Sequence, residues 1–411
     1  MHLYLSELIV DVLEIFLFLI AAYYFVIAIF SLKSKKVEYK ETSAKSFAIL
    51  VPAHNAASGV DKLLEGLQEL KYPKDKFSCF VIADNCTDDT VKVVNFHSLK
   101  MNVRIIERFD FEHDGKGYAL QYGVNHVLGL NDETFDCIAF VDSDNRIDPY
   151  FLTEMNDCFN MGYVAVQGYI DSKNPTSSWL AHAYSMWYWI NNLMNAEARF
   201  NLNLGVGLGG TGFAIDTKVI EKYGFDASCL AEDAELTMRL ALDDINVGYA
   251  KSAVVFDEKP NHMHTSIFQR LRWLQGIADV QSKYIGKLIK HKKFNVLMTS
   301  FSDTLAPLCF GFFFIIYILA TLSLFNLYDF NVANMWIQPL NYFVLNVYVF
   351  GNILIAAVGL IKDKKLNKYI ILNTFGFLVY LITWIPVGLA LIFKRGDTGW
   401  YHTKHDKADI L

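Results

Sequence analysis

Long apolar tracts near both ends of the chain constrain its fold more than any other sequence feature. The first tract lies at 8–32, and three more lie at 304–325, 341–361 and 369–393. A helix needs about 20 predominantly apolar residues to cross a bilayer core of ~30 Å, and each tract has that length. The sequence therefore predicts an α-helical transmembrane region on either side of a more polar middle segment, 46–285.

The basic residues beside these tracts predict their orientation. KSKK at 33–36 follows the first tract, and KDKKLNK at 362–368 follows the third. Because cytoplasmic loops carry an excess of Lys and Arg, we expect the middle segment to be cytosolic. No small-residue cleavage site follows the first tract, so we interpret it as a retained span and not as a signal peptide. The tract at 369–393 is basic at both ends and contains Pro386, which breaks or kinks helices. We interpret it as a broken interfacial or re-entrant segment with a cytosolic tail at 394–411; a plain kinked span is the alternative.

The overall composition narrows the classes of function. Of the 411 residues, 53% are hydrophobic and 19% are charged, which is apolar for a soluble protein of this size. The formal net charge of −6 gives no basic field and argues against a nucleic-acid partner. Six scattered cysteines without a CxxC pair predict a reduced domain with neither a disulfide nor a zinc framework. We expect a multi-pass plasma-membrane protein, of bacterial type.

The middle segment alternates short β-rich runs with amphipathic stretches. The runs SFAILVPAHN, FSCFVIADN, CIAFVDSDN and YVAVQGYI are separated by stretches such as VDKLLEGLQEL and GYALQYGVNHVLGL. This alternation predicts an α/β fold whose mostly parallel sheet has helices on both faces. The aromatic segment 177–200 has a helical pattern, and it is read equally well as a helix at the membrane interface or as a core helix.

Acidic side chains follow two of the predicted strands at the point where each apolar run stops. Asp84 ends one run, and Asp142 and Asp144 follow another. Because ligands of open α/β sheets bind at the carboxyl ends of strands, we expect these carboxylates to share one crevice. Two carboxylates at i and i+2 suit a hard divalent cation that bridges phosphate oxygens, although acidic turn residues are common after strands.

Three further groups carry charge near predicted helix starts. Lys116 in HDGKGYAL precedes a helical run and is placed to pair with a diphosphate, although an ordinary loop lysine is the alternative. Glu232 and Asp233 open the helical stretch EDAELTMRLAL. They either complement the helix dipole or supply a general base for a sugar hydroxyl.

The stretch QRLRW holds two arginines and an aromatic plate. Gln269 and Arg272 are three residues apart and share a helix face. Arginine binds phosphate with two parallel hydrogen bonds, and Trp273 offers an apolar surface on which a sugar stacks. A basic amphipathic helix on a membrane surface is the alternative.

Taken in order, these motifs resemble those of the processive family 2 glycosyltransferases, the membrane synthases of cellulose, hyaluronan, chitin and poly-N-acetylglucosamine. The matching residues are Asp84, Asp142-Ser143-Asp144, Glu232-Asp233 and Gln269-Arg270-Leu271-Arg272-Trp273. The resemblance covers 46–285 by motif and the flanking tracts by layout. It implies a GT-A-like α/β fold, an inverting transfer from a UDP-sugar, a divalent metal and a translocation channel in the membrane.

The resemblance also implies roles for single residues on the donor side. Asp84 would contact the uracil base, Asp142 would lie near the uridine diphosphate, and Asp144 would bind Mg²⁺ or Mn²⁺. Lys116 looks like a family lysine near the donor. The diphosphate would be held by Gln269, Arg270 and Arg272.

On the acceptor side, the resemblance implies that Asp233 is the general base and that Trp273 lies under the acceptor sugar. The stretch GLGGTGFAI resembles an acceptor loop around Gly210 and Thr211. The tail WYHTKH resembles a gating loop that closes over the nucleotide; its candidate residues are Trp400, Thr403 and His405.

Two departures from the family leave alternatives open. Ala231 stands where relatives often have Thr or Ser, but that residue is not the base. Cellulose- and hyaluronan-type relatives often have further spans after the position of this tail. A partner subunit or a second copy of the chain would complete the channel; otherwise, the enzyme does not extrude a polymer.

The leading prediction is a polysaccharide synthase that takes a UDP-sugar donor and a glycan or glycolipid acceptor and lies among membrane lipids. A single-transfer enzyme that glycosylates a membrane lipid is the second reading. An inactive, transporter-like or receptor-like protein is the third, and the intact acidic and QRLRW motifs argue against it.

Overall fold

An eight-stranded sheet forms the centre of the part of the chain that the structure describes. The computed structural model describes residues 19, 22–33, 43–226, 229–302, 318, 322, 338–365 and 368–393. The strands are β1 (Phe47–Ala53), β2 (Phe77–Asp84), β3 (Val103–Arg108), β4 (Cys137–Phe140), β5 (Arg146–Ile147), β6 (Ala165–Ser172), β7 (Phe213–Asp216) and β8 (Gly248–Asp257). Their order across the sheet is β3-β2-β1-β4-β7-β6-β8-β5.

Helices precede, separate and follow the strands. Within the described residues they are α1 (Ala22–Leu32), α2 (Ala57–Gln68), α3 (Thr90–His97), α4 (Lys116–Leu128), α5 (Phe151–Asn160), α6 (Trp179–Asn191), α7 (Ala198–Asn201), α8 (Thr217–Tyr223), α9 (Glu232–Leu242), α10 (Met263–Lys290), α11 (Phe294–Ser302), α12 (Gln338–Lys362), α13 (Lys368–Ile382) and α14 (Trp384–Phe393). A π-helical turn, Asn192–Glu197, joins α6 to α7.

The sheet is mixed, which corrects the expectation of a mostly parallel one. Strands β3, β2, β1 and β4 are parallel to one another, as the alternation of runs predicts. Strand β7 is antiparallel to both β4 and β6, and β5 is antiparallel to β8. Strands β5 and β7 have two and four residues, too few for a period-2 pattern to be read from the sequence.

The two faces of the sheet bury two separate cores, as a sheet with helices on both faces requires. In β1, Phe47, Ile49 and Val51 pack with helices α2 and α5 on one face. Ala48 and Leu50 point to the other face and pack with α4, α8 and α9. Strands buried on both faces read as continuous apolar runs, which is why β1 and β2 were visible in the sequence.

The aromatic segment at 177–200 forms α6, the π-helical turn and the start of α7. Leu180, Tyr184 and Trp189 of this segment are buried, whereas Trp179 at its start is 43% exposed. Helix α6 lies between the sheet and α13, so the core-helix reading describes these contacts. The serine at its N-terminus, Ser178, accepts a hydrogen bond from the Ala181 amide and caps the helix.

The C-terminal tract is broken, as Pro386 predicts. Helices α13 and α14 are separated at Thr383, three residues before the proline. Pro386 has no N–H to donate to the carbonyl of Ile382, so the helical ladder is interrupted there. Whether this segment is interfacial remains a prediction.

The described helices meet the length and composition of a membrane span in one place. The stretch Leu372–Ala390 is long and apolar enough to cross a bilayer, and α1 and Phe350–Lys362 are shorter apolar helices. The expected tract at 304–325 lies almost entirely outside the described residues, as does most of 8–32.

Ion pairs attach the end of α12 to the sheet domain. Lys251 of β8 lies 2.7 Å from the Glu197 carboxylate and 2.6 Å from that of Asp363. Lys362 is 3.1 Å from the second oxygen of Glu197. Lys362, which the sequence analysis used only to orient a membrane span, therefore also holds α12 against the sheet domain.

Candidate active site at the carboxyl edge of the sheet

Three elements bring opposite charges together beside the end of β4. Asp142 follows β4, and its carboxylate lies 2.6 Å from the ammonium of Lys116, the first residue of α4. The same ammonium donates a hydrogen bond to the carbonyl of Gly210, 2.8 Å away. The sequence analysis placed Lys116 and Asp142 on the donor, and the structure does bring the two together.

The loop before β7 lies beside Lys116 and Asp142, and hydrogen bonds hold it in place. The amide of Asp142 donates to the hydroxyl of Thr211 at 3.0 Å, and this hydroxyl donates to Asn145 at 2.7 Å. The side-chain amide of Gln167 donates to the Thr211 carbonyl at 3.0 Å, and its oxygen accepts from the Gly209 amide at 2.8 Å. Gln167 and Asn145 were not predicted, since isolated amides carry no motif.

A glycine brings this loop against the start of α9. Gly210 has φ +78, a conformation that side-chain-bearing residues rarely adopt. A Cβ built at this position would lie 3.4 Å from a carboxylate oxygen of Asp233 and 3.9 Å from the Lys116 ammonium. The candidate base Asp233 therefore lies close to Lys116, and Gly210 leaves the space between loop and base open.

The charges at this corner perturb one another. Burial and the charge of Asp233 raise the pKa of Glu232 from 4.5 to about 7, against the opposing effect of Lys116. Burial lowers the pKa of Lys116, but Asp142 and Glu232 outweigh it and the pKa reaches about 12. Lys116 is therefore a fixed cation, whereas Glu232 exchanges its proton near neutral pH. Clusters of perturbed carboxylates of this kind are typical of functional sites.

A second charged pair lies at the neighbouring strand ends. The guanidinium of Arg108, the last residue of β3, lies 2.6 Å from the carboxylate of Asp84, the last residue of β2. Burial raises the pKa of Asp84, with the contact to Arg108 opposing it. His54 contacts the Asp84 carbonyl through Nδ1 at 2.8 Å. Sequence reasoning missed Arg108, although its position at the end of the adjacent strand was the available signal.

Helix α10 carries the QRLRW motif, and its side chains point in different directions. Burial lowers the pKa of Arg272, and the nearby charges of Glu232, Asp142 and Asp233 oppose this lowering, so Arg272 lies near these carboxylates. Trp273 lies edge-on to Tyr184 of α6, with ring centroids 6.4 Å apart. The side-chain oxygen of Gln269 is buried without a hydrogen-bond partner in the described structure.

Arg270 is the exception to the expected donor-binding set. It is fully buried, and its guanidinium donates to the hydroxyl of Thr383 at 2.9 Å. The guanidinium lies 4.9 Å from the ring centroid of Tyr380 and 5.1 Å from that of Trp384. Two residues along an α-helix correspond to a rotation of about 200°, so Arg270 and Arg272 face away from each other. The expectation that Arg270 holds the diphosphate does not agree with these contacts.

The sequence resemblance implies a divalent metal, and Asp144 is its candidate ligand. Among the described residues, no group of three or more His, Cys, Asp or Glu side chains has the arrangement of a metal site. Asp144 offers a carboxylate whose Oδ1 accepts from the Asn145 amide at 3.2 Å. A single carboxylate suits a hard cation that takes its remaining ligands from phosphate and water, as Mg²⁺ commonly does. Asp144 therefore fits a metal that arrives with a nucleotide.

The three gating-loop candidates, Trp400, Thr403 and His405, lie outside the described residues. Their roles stay predictions.

Comparisons with known proteins identify the family of the chain. The family described as "Glycosyltransferase like family 2" matches residues 44–276. A probable glycosyltransferase of Bacillus subtilis, YdaM, is 24% identical over 384 residues, covering 87% of this chain and 86% of its own length. The poly-beta-1,6-N-acetyl-D-glucosamine synthase of Staphylococcus epidermidis is 23% identical over 362 residues, covering 85% of this chain and 81% of its own.

A solved structure has the same fold. The mannosyltransferase PcManGT from Pyrobaculum calidifontis, in complex with GDP-Man and Mn²⁺, superimposes with a TM-score of 0.53 at 18% identity. The match covers 87% of this chain and 99% of that one. At this identity the likeness concerns the fold alone, and it confirms the GT-A-like arrangement.

The family match defines the class of protein, a glycosyltransferase that uses nucleotide sugars. The chain belongs to glycosyltransferase-like family 2.

Proposed function

We propose that the protein is a membrane-embedded, inverting glycosyltransferase that adds sugar from a UDP-sugar to a growing polysaccharide and couples this to export. The observation that carries the proposal is the position of α10. One side of this helix presents Arg272 to the carboxylates of the crevice, and the other side packs on the apolar helices α13 and α14. A product made in this crevice forms directly beside the most apolar part of the described chain.

The residues of the crevice have complementary tasks. Lys116 and Arg272 neutralise the charge that builds on the leaving diphosphate, which is the largest contribution such a site makes. A divalent cation on Asp144 supplies further positive charge when it is bound. Asp233 accepts the proton of the acceptor hydroxyl as the sugar carbon is attacked from the opposite face. Asp84, with Arg108 beside it, recognises the base of the nucleotide.

The acceptor side is assigned to Gly210, Thr211 and Trp273. Gly210 and Thr211 lie in the loop beside Asp233, the position that an acceptor hydroxyl needs to reach. Trp273 of α10 is partly buried against Tyr184 of α6, and the part of its ring that stays exposed is assigned to the acceptor sugar. The tail residues Trp400, Thr403 and His405 close over the donor and limit its hydrolysis.

Membrane embedding, several spans and a bacterial plasma-membrane location are part of the proposal. The apolar stretch Leu372–Ala390 and the shorter helices α1 and Phe350–Lys362 support it. The staphylococcal relative matches over 85% of this chain, a share too large to be the transferase domain alone.

The test is a transfer assay with the full chain purified in detergent. The protein receives Mg²⁺ or Mn²⁺ and one radiolabelled donor at a time, from UDP-N-acetylglucosamine, other UDP-sugars and GDP-mannose. Products are separated on a gel and by lipid chromatography. UDP-N-acetylglucosamine is the first choice, because the staphylococcal relative makes a polymer of that sugar.

We expect a high-molecular-weight product from one UDP-sugar, and no product from Asp233→Asn. A single lipid-soluble product would mean that the enzyme transfers one sugar to a lipid and does not make a polymer. Transfer from GDP-mannose alone would contradict the UDP assignment. Metal-stimulated release of UDP that is absent in Asp233→Asn distinguishes an active enzyme without its acceptor from an inactive protein.

A further inference from the structure

The contacts of Arg270 give this residue a task that the donor site does not explain. Its side chain is fully buried at the junction of α6, α10 and the broken segment α13–α14. In the described part of the chain no carboxylate forms an ion pair with it. It donates to the carbonyl of Ser266, the hydroxyl of Thr383 and, at 4.0 Å, the sulfur of Met263, and it also interacts with the hydroxyl of Tyr184. A buried, uncompensated charge is costly, so its surroundings must stabilise the cation.

Two aromatic rings and one hydroxyl supply that stabilisation. The rings of Tyr380 and Trp384 lie at cation–π distance on either side of the helix break. The hydroxyl of Thr383 donates to the Tyr380 carbonyl at 2.6 Å, which leaves its oxygen free to accept from Arg270 at 2.9 Å. The guanidinium therefore binds the last turn of α13, the break and the first turn of α14 at once.

The contact lies at the break between the two helices. The Thr383 hydroxyl donates to the carbonyl of Tyr380 in α13 and accepts from Arg270 of α10. Pro386 interrupts the ladder at this point, and Thr383 takes a turn conformation between the two helices. Tyr380 of α13, Thr383 at the break and Trp384 of α14 all contact the buried guanidinium of Arg270.

We infer that Arg270 is a positioning residue for glycosyl transfer: by clamping α10 to the helix break at Thr383, it fixes the rotation of α10 that brings Arg272 near the carboxylates of the crevice. The inference rests on the proposed function, because it assigns Arg270 a part in that reaction. It differs from the sequence expectation, in which Arg270 touches the diphosphate itself. Arg270 then influences donor binding without contacting the donor.

The experiment compares substitutions at Thr383 with a matched control on the same helix. Thr383→Val keeps the shape of the side chain and removes the acceptor, whereas Thr383→Ser keeps the hydroxyl. Thr374→Val is the control, since the Thr374 hydroxyl bonds only the Ile370 carbonyl of its own helix, at 2.8 Å. For each full-length variant in detergent we would measure kcat, the donor KM, the affinity for UDP with Mn²⁺ by calorimetry, and Tm.

We expect Thr383→Val to lower kcat/KM by about tenfold with a raised donor KM, because small misplacements of a binding group cost this much or more. Thr383→Ser and Thr374→Val should stay within about twofold of the wild type. Arg270→Ala should lose on the order of a hundredfold, and adding Thr383→Val to it should cost nothing more, since the two residues act as one unit.

Two results would overturn the inference. If Arg270→Ala abolishes UDP binding while Thr383→Val binds and turns over like the wild type, then Arg270 is a direct ligand. If Thr383→Val lowers only Tm and leaves the donor KM and UDP affinity unchanged, the contact is merely structural. If Arg270→Ala does not fold, the comparison of Thr383→Val with Thr383→Ser still tests the inference. A wild type that transfers no sugar contradicts the proposed function. The UDP affinities of the Thr383 variants then test the contact between Arg270 and Thr383 separately.

Discussion

The two sides of α10 meet very different surroundings, although both are lined by arginines from one five-residue motif. On the charged side, Arg272 faces Asp142, Glu232 and Asp233 at the carboxyl edge of the sheet. On the aromatic side, Arg270 lies between Tyr380 and Trp384 at the break in the C-terminal segment. Similar side chains therefore serve different purposes, and their environments decide which.

Charge is stabilised differently on the two sides of α10. The charged side concentrates carboxylates and cations that neutralise one another only in part, and it is arranged to receive a ligand. The aromatic side surrounds one cation with ring faces, a hydroxyl and a carbonyl, and leaves no room for a ligand. A group that changes its partners during a reaction belongs on the first side, and a group that holds helices together belongs on the second.

The largest expected effect is that of removing the base on the charged side. Asp233→Asn keeps the size of the side chain but cannot accept the acceptor proton. We expect the transfer rate to fall by about 10²–10⁴. UDP affinity, measured by calorimetry, should change little, since the base acts on the acceptor. A variant that retains more than about a tenth of wild-type transfer would remove Asp233 from the role of base.

The second effect tests whether Arg272 binds charge that develops in the reaction. Arg272→Ala should lower kcat/KM by about 10²–10³, or on the order of 3 kcal/mol, with a comparable loss of UDP affinity. Arg272→Lys restores the charge but not the paired hydrogen bonds, so only part of the activity should return. Equal activity of the lysine variant and the wild type would mean that Arg272 acts as a point charge alone.

The third effect concerns the protonation of Glu232 and separates stability from activity. Because the pKa of Glu232 is about 7 in the folded protein and 4.5 ordinarily, the folded state retains a proton that the unfolded chain releases. Its contribution to the free energy of unfolding therefore falls as pH rises from 4.5 to 7 and is constant above. Glu232→Gln should flatten the pH dependence of Tm in this window.

The same substitution should change the pH dependence of transfer. The charge of Asp233 raises the pKa of Glu232, so the two carboxylates interact. Glu232→Gln removes one of the two negative charges, which favours the charged form of the other, and the acid limb of kcat/KM should move to lower pH. An acid limb at the same pH in both proteins would show that Glu232 does not interact with the base.

The smallest effect tests the attachment of α12, away from both sides of α10. Glu197→Gln removes the shared partner of Lys251 and Lys362. We expect a loss of about 2 kcal/mol in the free energy of unfolding, less than for a fully buried pair because the lysines are partly exposed. The donor KM should be unchanged. A shifted KM would mean that α12 also communicates with the crevice.

Much of the transferase domain was predictable from local pattern. Strands β1, β2, β4 and β6 were visible as apolar runs, and Asp84 and Asp142 were visible as the polar residues that end two of them. The opposite direction of β7 was not, because four residues carry no readable period. Arg108 and Gln167 were missed for a different reason. Each contacts a neighbouring strand or loop that is distant in sequence.

From the sequence alone we could predict the family and the charges that the crevice would hold. The helices that begin at Lys116 and Glu232 and the break near Pro386 were predictable in the same way. These follow from local chemistry: spacing, apolar length and a proline without an N–H. Only the tertiary structure decided which arginine of QRLRW meets carboxylates and which meets aromatic rings. A helix carries side chains all around its axis, and the elements that pack on each side are chosen by the whole fold.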